Sequence, residues 1–182
     1  MKNVPLMSEP PKLTLKHVSS KEDLKRFDCG VREIDRWATE KAYKLHERGR
    51  SRVTIANPAS GGGVCGFYSL THSIAETGKL LEKSDRDIWD KAPIIYIGYM
   101  AVAKPRQRTG IGSTMLVHAL HSAYRIHQIA PLYGVGLRAL NEAAERLYTE
   151  NGFRRAPNED GAGCPLMILP IWTAVDLFSS KK

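Results

Sequence analysis

Val102-Ala103-Lys104-Pro105-Arg106-Gln107-Arg108-Thr109-Gly110-Ile111-Gly112 is the stretch on which the fold turns. An apolar run ends in it, a basic loop turns, and a helix starts. The first turn of a helix leaves backbone N–H groups without intrahelical partners, and these favour an anion. Gly110 and Gly112 let backbone approach a phosphate with no Cβ between them. Arg106 and Arg108 add charge suited to phosphates. The alternative is a plain strand-to-helix turn that uses glycine for geometry. The stretch is not a P-loop, because no Gly-Lys-Ser/Thr follows. Nor is it a dinucleotide fingerprint, because Met115 stands at the third glycine position.

Upstream, Ile94 to Ala103 reads as a strand buried on both faces. Downstream, Met115, Leu116, Ala119, Leu120 and Ala123 repeat at three and four, which predicts a helix over 110–128. A strand is expected at 132–137, a helix at 141–151 closed by Gly152, and a last strand at 164–171. On the N-terminal side, residues 1–12 carry Pro5, Pro10 and Pro11 and read as a loose lead. Ser20 to Asp23 suggests a short helix capped by Ser19 or Ser20. Val31, Ile34, Trp37, Ala38, Ala42 and Leu45 form a helical stripe over 31–46. Strands at 51–56 and 64–71 flank Asn57-Pro58-Ala59-Ser60-Gly61-Gly62-Gly63 as a hairpin, and 72–92 reads as polar loop with short helical turns. The order implies one α/β domain over 1–182, a layered mixed sheet with a parallel pair around the central helix.

Composition narrows the function. The N-terminus has no apolar core of a secretory signal, and the longest apolar run, 93–103, is too short to span a bilayer. Cys29, Cys65 and Cys164 are odd in number without CxxC spacing, which argues against a disulfide framework or a zinc site and for a reduced, cytoplasmic protein. Twenty-seven basic against 19 acidic residues give +8. That excess favours an acidic partner such as a nucleotide, RNA or an acidic protein tail, with simple solubility as the other reading.

A second piece with chemistry in it is Asn141-Glu142-Ala143-Ala144-Glu145-Arg146-Leu147-Tyr148-Thr149-Glu150-Asn151-Gly152-Phe153. Asn141 can cap this helix or reach a ligand. Tyr148 lies two turns along the same face, where a phenol can donate a proton to a leaving thiolate. Alone, such a tyrosine is more often core.

Together the two pieces resemble the GNAT superfamily of acetyltransferases. Its Gln/Arg-x-x-Gly-x-Gly/Ala motif is met by Gln107, Gly110 and Gly112. Its Asn-x-x-Ala-x-x-x-Tyr-x-x-x-Gly-Phe motif is met by Asn141, Ala144, Tyr148, Gly152 and Phe153. The resemblance covers about 50–172. It implies a GNAT fold, a mixed central sheet whose fourth and fifth strands splay apart to admit acetyl-CoA. It implies Tyr148 as catalytic acid, and Gln107, Arg108, Thr109, Gly110, Ile111, Gly112 and Asn141 as cofactor-binding residues. Backbone of Met100, Ala101 and Val102 would hold the pantetheine arm and the acetyl carbonyl. No metal is implied.

Phe27-Asp28-Cys29-Gly30, Ile34-Asp35-x-Trp37, Val64 to Leu70 and Leu166-Met167-Ile168-Leu169-Pro170 resemble more narrowly the TacT/AtaT class of GNAT toxins. The implied substrate is aminoacyl-tRNA, acetylated on its amino group, and the implied partner is a ribbon-helix-helix antitoxin. A homodimer stays open. Tyr99 stands where that class has an arginine. A GNAT acting on a protein N-terminus, a lysine or a small amine is the alternative, and a non-catalytic CoA- or RNA-binding module is another.

The strand 94–103 has no carboxylate. A lysine amine, with pKa ≈ 10.4, gains from a base, whereas an α-amino group near ≈ 8 needs less help. The absence favours an aminoacyl acceptor. Glu142 and Glu145 could serve as bases or form a solvated face. Arg32, Arg36, Lys44, Arg48 and Arg106 could track RNA phosphates, though Glu33, Asp35, Glu40 and Glu47 interleave with the helical ones. His118 and His121 lack a third metal ligand. Cys29 lacks a His or Asp partner for nucleophilic chemistry.

Overall fold

The computed structural model describes residues 12–157 and 163–179. The loose lead expected over 1–12 therefore lies, apart from Lys12, outside the described residues. Among the described residues, seven strands form one sheet: β1 (Leu13–His17), β2 (Arg52–Pro58), β3 (Gly66–Glu76), β4 (Lys91–Val102), β5 (Gly134–Arg138), β6 (Arg154–Arg155) and β7 (Leu166–Pro170). Their spatial order is β1-β2-β3-β4-β5-β7-β6. The β4–β5 pair is parallel and the others are antiparallel. The crossover between the parallel strands is helix α4 (Ile111–His127), as the sequence order required.

Residue alternation places one helical layer on each face. Val53, Ile55 and Phe67 point to a rod made of α1 (Arg32–Trp37), a π-turn (Ala38–Ala42) and α2 (Tyr43–Glu47), and pack on Trp37, Ala38 and Ala42. Ala56, Tyr68, Ile95, Val135 and Leu169 face the other way. They bury the α4 stripe of Met115, Leu116, Ala119, Leu120 and Ala123. The same layer holds α5 (Glu142–Glu150) and α6 (Ile171–Ser179), which crosses α4 through Phe178 against His121 and Tyr124.

Several elements differ from the sequence expectation. Residues 21–26 are consecutive turns, not a helix. Their bonds run from Asp23 N to Ser20 O, Lys25 N to Glu22 O and Phe27 N to Leu24 O. The Asp23 carboxylate accepts from the backbones of Ser19 and Ser20 at 2.7 and 3.0 Å, so the acid does the capping expected of the serines. The helix over 31–46 is present but carries the π-turn, which apolar spacing does not reveal. Strand β3 runs on to Glu76 because it pairs with β4 as far as Lys91, and α3 (Lys83–Ile88) fills part of the expected loop. Burial on both faces of β4 holds for Ala92, Ile94, Ile95 and Ile97 but not for Gly98–Met100. Strands β1 and β6 and helix α6 had no clear sequence signal.

Phe67 sits at the centre of the α1 side, with no exposed surface, edge-on to Phe27 at 4.9 Å and parallel to Trp37 at 5.8 Å. Phe67→Ala removes a ring from a packed site, and urea unfolding followed by tryptophan fluorescence should show a loss of about 3–5 kcal/mol.

Candidate active site

The site begins with an irregularity in β4. Ser69 pairs with Tyr99 but Leu70 pairs with Ile97, so Gly98 is an extra residue in the strand. The Ser69 hydroxyl accepts from Tyr99 N at 3.0 Å across the bulge. Pairing of β4 with β5 ends at the same level, at Ile97 with Leu137. Beyond it the two strands part, as expected. Ala103 N bonds back to Cys65 O, and Tyr99 N also points toward β3. By strand alternation the N–H groups of Met100 and Val102 point the other way, into the gap.

At the far end of β4 the chain turns through a 3₁₀ turn (Lys104–Arg106) into α4. Arg108 has φ +61° and Gly110, the N-cap of α4, has φ +84°. Alternating left-handed residues turn successive N–H groups toward one side, an anion-binding concavity. Among the described residues no protein acceptor meets the N–H of Arg108, Thr109, Gly110, Ile111, Gly112 or Ser113, whereas Thr114 N bonds to Gly110 O. A Cβ on Gly112 would meet the protein only at ordinary contact, 3.7 Å from Val102 Cγ2. The protein's own packing therefore does not demand glycine there, while Gly110 needs it for its φ.

The loop is fastened to the N-terminal signature. The Gln107 side-chain amide donates to Cys29 O at 2.8 Å and to Val102 O at 3.1 Å. Lys104 N donates to Asp28 O at 2.9 Å. Asp35 in turn accepts from Cys29 N at 2.7 Å, and Asp28 accepts from Gly30 N at 2.8 Å. Trp37 stacks on Tyr99 at 4.1 Å. Phe27, Asp28, Cys29, Asp35 and Trp37 thus form a clasp behind the loop. The Gln107 side chain belongs to that clasp.

Across the gap, Asn141 caps α5 by accepting from Ala144 N at 2.9 Å. Tyr148, 8% exposed, faces the gap from the same helix. Its hydroxyl has no hydrogen-bond partner among the described residues, yet no buried side-chain oxygen there is left unpartnered, so the hydroxyl reaches open space. Burial pushes its pKa up to about 12. A phenol in that state stays protonated at neutral pH and is available as a proton donor.

These parts line one cleft of about 520 Å³, with Met100, Ala101, Val102, Gln107 and Gly112 on one wall and Asn141, Ala144 and Tyr148 on the other. Tyr99 and Glu33 line it too. Burial, then the charge of Glu33, raises the Tyr99 pKa. Nothing in the sequence marks Glu33 as a site residue, because it sits among charged residues of an exposed helix and only the fold turns it to the cleft. Cys29 also lines the cleft, but burial, then Asp35, pushes its thiol up to about 11, unsuited to a nucleophile. Glu142 is exposed, and Glu145 is held by Arg155 and kept below its usual pKa by that bond. Arg32, Arg36, Lys44, Arg48 and Arg106 are all exposed, apart from the cleft lining. His118 and His121 lie elsewhere on α4, and no group of three metal-binding side chains occurs among the described residues. No helix there is long and apolar enough to cross a membrane.

Known proteins are similar to this chain in sequence and fold. The family described as "Acetyltransferase (GNAT) domain" matches residues 49–155. A "tRNA-acetylating toxin" of Mycobacterium tuberculosis is 24% identical over 79% of this chain and 86% of its own length. A "Probable toxin TacT" of Sinorhizobium fredii is 28% identical over 85% of this chain and 88% of its own. Among solved structures, AtaTR bound with AcCoA superposes with a TM-score of 0.76 and 26% identity, covering 91% of this chain and 98% of that one. The family match takes in more than half of the residues, including β4, the N–H row and Tyr148, and the chain belongs to the GNAT acetyltransferase family.

Proposed function

We propose that the chain moves the acetyl group of acetyl-CoA to the α-amino group of an aminoacyl-tRNA and so acts as a translation-blocking toxin. The observation that carries the chemistry is one cleft lined by Met100, Val102 and Tyr148 that reaches the unpartnered N–H row of 108–113 at Gly112. The acceptor rests on the relative named for tRNA acetylation. The charge of +8 agrees with it.

In this reading the N–H row with Arg106 and Arg108 receives the pyrophosphate. Met100 and Val102 N–H polarise the thioester carbonyl and hold the oxyanion when the amine adds. The C–S bond breaks as the intermediate collapses, and Tyr148 gives its proton to the departing thiolate. Solvent takes the proton the amine loses. The chain would work as one domain in the cytoplasm, and a ribbon-helix-helix antitoxin that covers the basic surface would silence it. Glu33 is the observation that favours a second reading, since a carboxylate in the cleft could deprotonate a lysine or polyamine.

Gly112→Val places a side chain where the row faces the phosphates. Calorimetry should show acetyl-CoA binding lost in a protein that melts like wild type; retained binding removes the row from the site. Tyr148→Phe should lower kcat by ~10²–10⁴-fold with acetyl-CoA affinity nearly unchanged. Because burial pushes the phenol up to about 12, the acid form persists through mildly alkaline pH. The ratio of wild-type to Tyr148→Phe rates should therefore stay flat from about pH 7 to 10 and shrink only above that.

The acceptor is tested with purified protein, acetyl-CoA and a pool of charged tRNAs, by mass spectrometry of the esterified amino acids. Acetylated aminoacyl-tRNA is expected. Reversing Arg32, Arg36 and Lys44 to Glu together should weaken tRNA binding and flatten its salt dependence without changing acetyl-CoA affinity. Modification of a peptide or polyamine with every tRNA untouched would install the second reading, and Glu33→Gln should then lower that activity.

A further inference from the structure

A second cavity, of about 700 Å³, shares no lining residue with the cleft. It opens between the C-terminal half of α4 and the β1–β3 side of the sheet. From Gly112 to Arg125 the helix rises about 20 Å, so the cavity lies well beyond the N–H row. Its floor is apolar, with Leu15, Leu70, Ile95 and Ile126. Its rim carries Lys16, Arg50, Arg52 and Arg125, and no aspartate or glutamate lines it. None of these four cations is in an ion pair among the described residues.

Buried polar groups behind the rim orient two histidines. The Tyr68 hydroxyl, on a residue 1% exposed, lies 2.7 Å from His118 Nδ1. Burial keeps this phenol a neutral hydroxyl, and its bond to Nδ1 holds the ring in place. The other ring nitrogen, Nε2, has no partner among the described residues. Burial, then the charges of His121 and His17, keeps His118 in its neutral form. The Thr54 hydroxyl lies 3.4 Å from His17 Nδ1. Forked guanidinium groups beside imidazole rings over an apolar floor match a phosphate attached to a flat apolar body.

We propose that this cavity is a second, non-catalytic site for the phosphate of a nucleotide, with Arg52 and Arg125 as its principal anion ligands. The site stands whether or not the acceptor is charged tRNA. Two sources share the chemistry: a free mononucleotide and a nucleotide within an RNA strand. The test uses the full chain saturated with CoA, which closes the N–H row to other phosphates. Calorimetric titrations follow with adenosine 5′-monophosphate, a short single-stranded RNA, inorganic phosphate and a poly-glutamate peptide. A phosphate ligand should bind the CoA-saturated protein. That binding should weaken about 10–100-fold in Arg52→Ala/Arg125→Ala, whose exposed side chains leave the melting temperature and acetyl-CoA affinity in place. Binding of the mononucleotide identifies a free nucleotide as sufficient. Binding of RNA alone identifies the strand as the source. No phosphate ligand binding, binding only of the acidic peptide, or a double variant that binds as wild type would each overturn the site.

Discussion

One surplus residue shapes the site. Gly98 adds a residue to β4 that β3 does not match, and from that level on β4 has β3 on one side and, among the described residues, no strand on the other. A regular strand would have kept pairing with β5 and closed the sheet. The bulge instead leaves two N–H groups facing a gap that α4 and α5 flank. Glycine fits because a Cβ there would press the Ser69 hydroxyl at 3.3 Å, the same hydroxyl that accepts from Tyr99 N. Backbone polar groups left open in this way need partners, so the opening in the sheet is also a set of binding donors.

The two sides of the gap get their rigidity differently. The α5 side is local: Asn141 caps the helix, Gly152 ends it with φ +89°, and Tyr148 packs against Phe153 between them. The α4 side is held from a distance, through Gln107 and Lys104 to residues 28 and 29, and through Tyr99 to Trp37. A row of N–H dipoles repels itself when empty, and a left-handed Arg108 adds strain. The external clasp supplies the restraint that the loop's own sequence lacks.

The strongly patterned elements were legible because burial imposes period three to four on α4 and an unbroken run of small and β-branched residues on 53–56 of β2. The parallel pair followed from their order. Tyr148 and the glycine loop were legible as motifs, since their chemistry depends on local spacing. The bulge at Gly98 was not, because a glycine inside an apolar run signals nothing about its partner strand. Glu33 in the cleft was hidden for a related reason: its facing depends on how a helix docks, and its neighbours in sequence are ordinary surface residues. The cationic cavity gathers residues from β1, β2, β3 and α4, which no linear pattern brings together. The π-turn in the α1–α2 rod is likewise a packing outcome.

The clasp also sets an order of assembly. Gln107 and Cys29 are 78 positions apart, and contacts of such separation form late because the chain must first close a long loop. During synthesis the clasp residues emerge well before the loop they hold, and Trp37 and Phe27 then lack the rings of Tyr99 and Phe67 that later cover them. The loop gains its supports only when both parts have met. A chain nicked between residues 37 and 98 keeps every atom of the loop and loses the tether's high effective concentration. Competence for the cofactor is thus a property of the nearly finished molecule, withheld from its fragments.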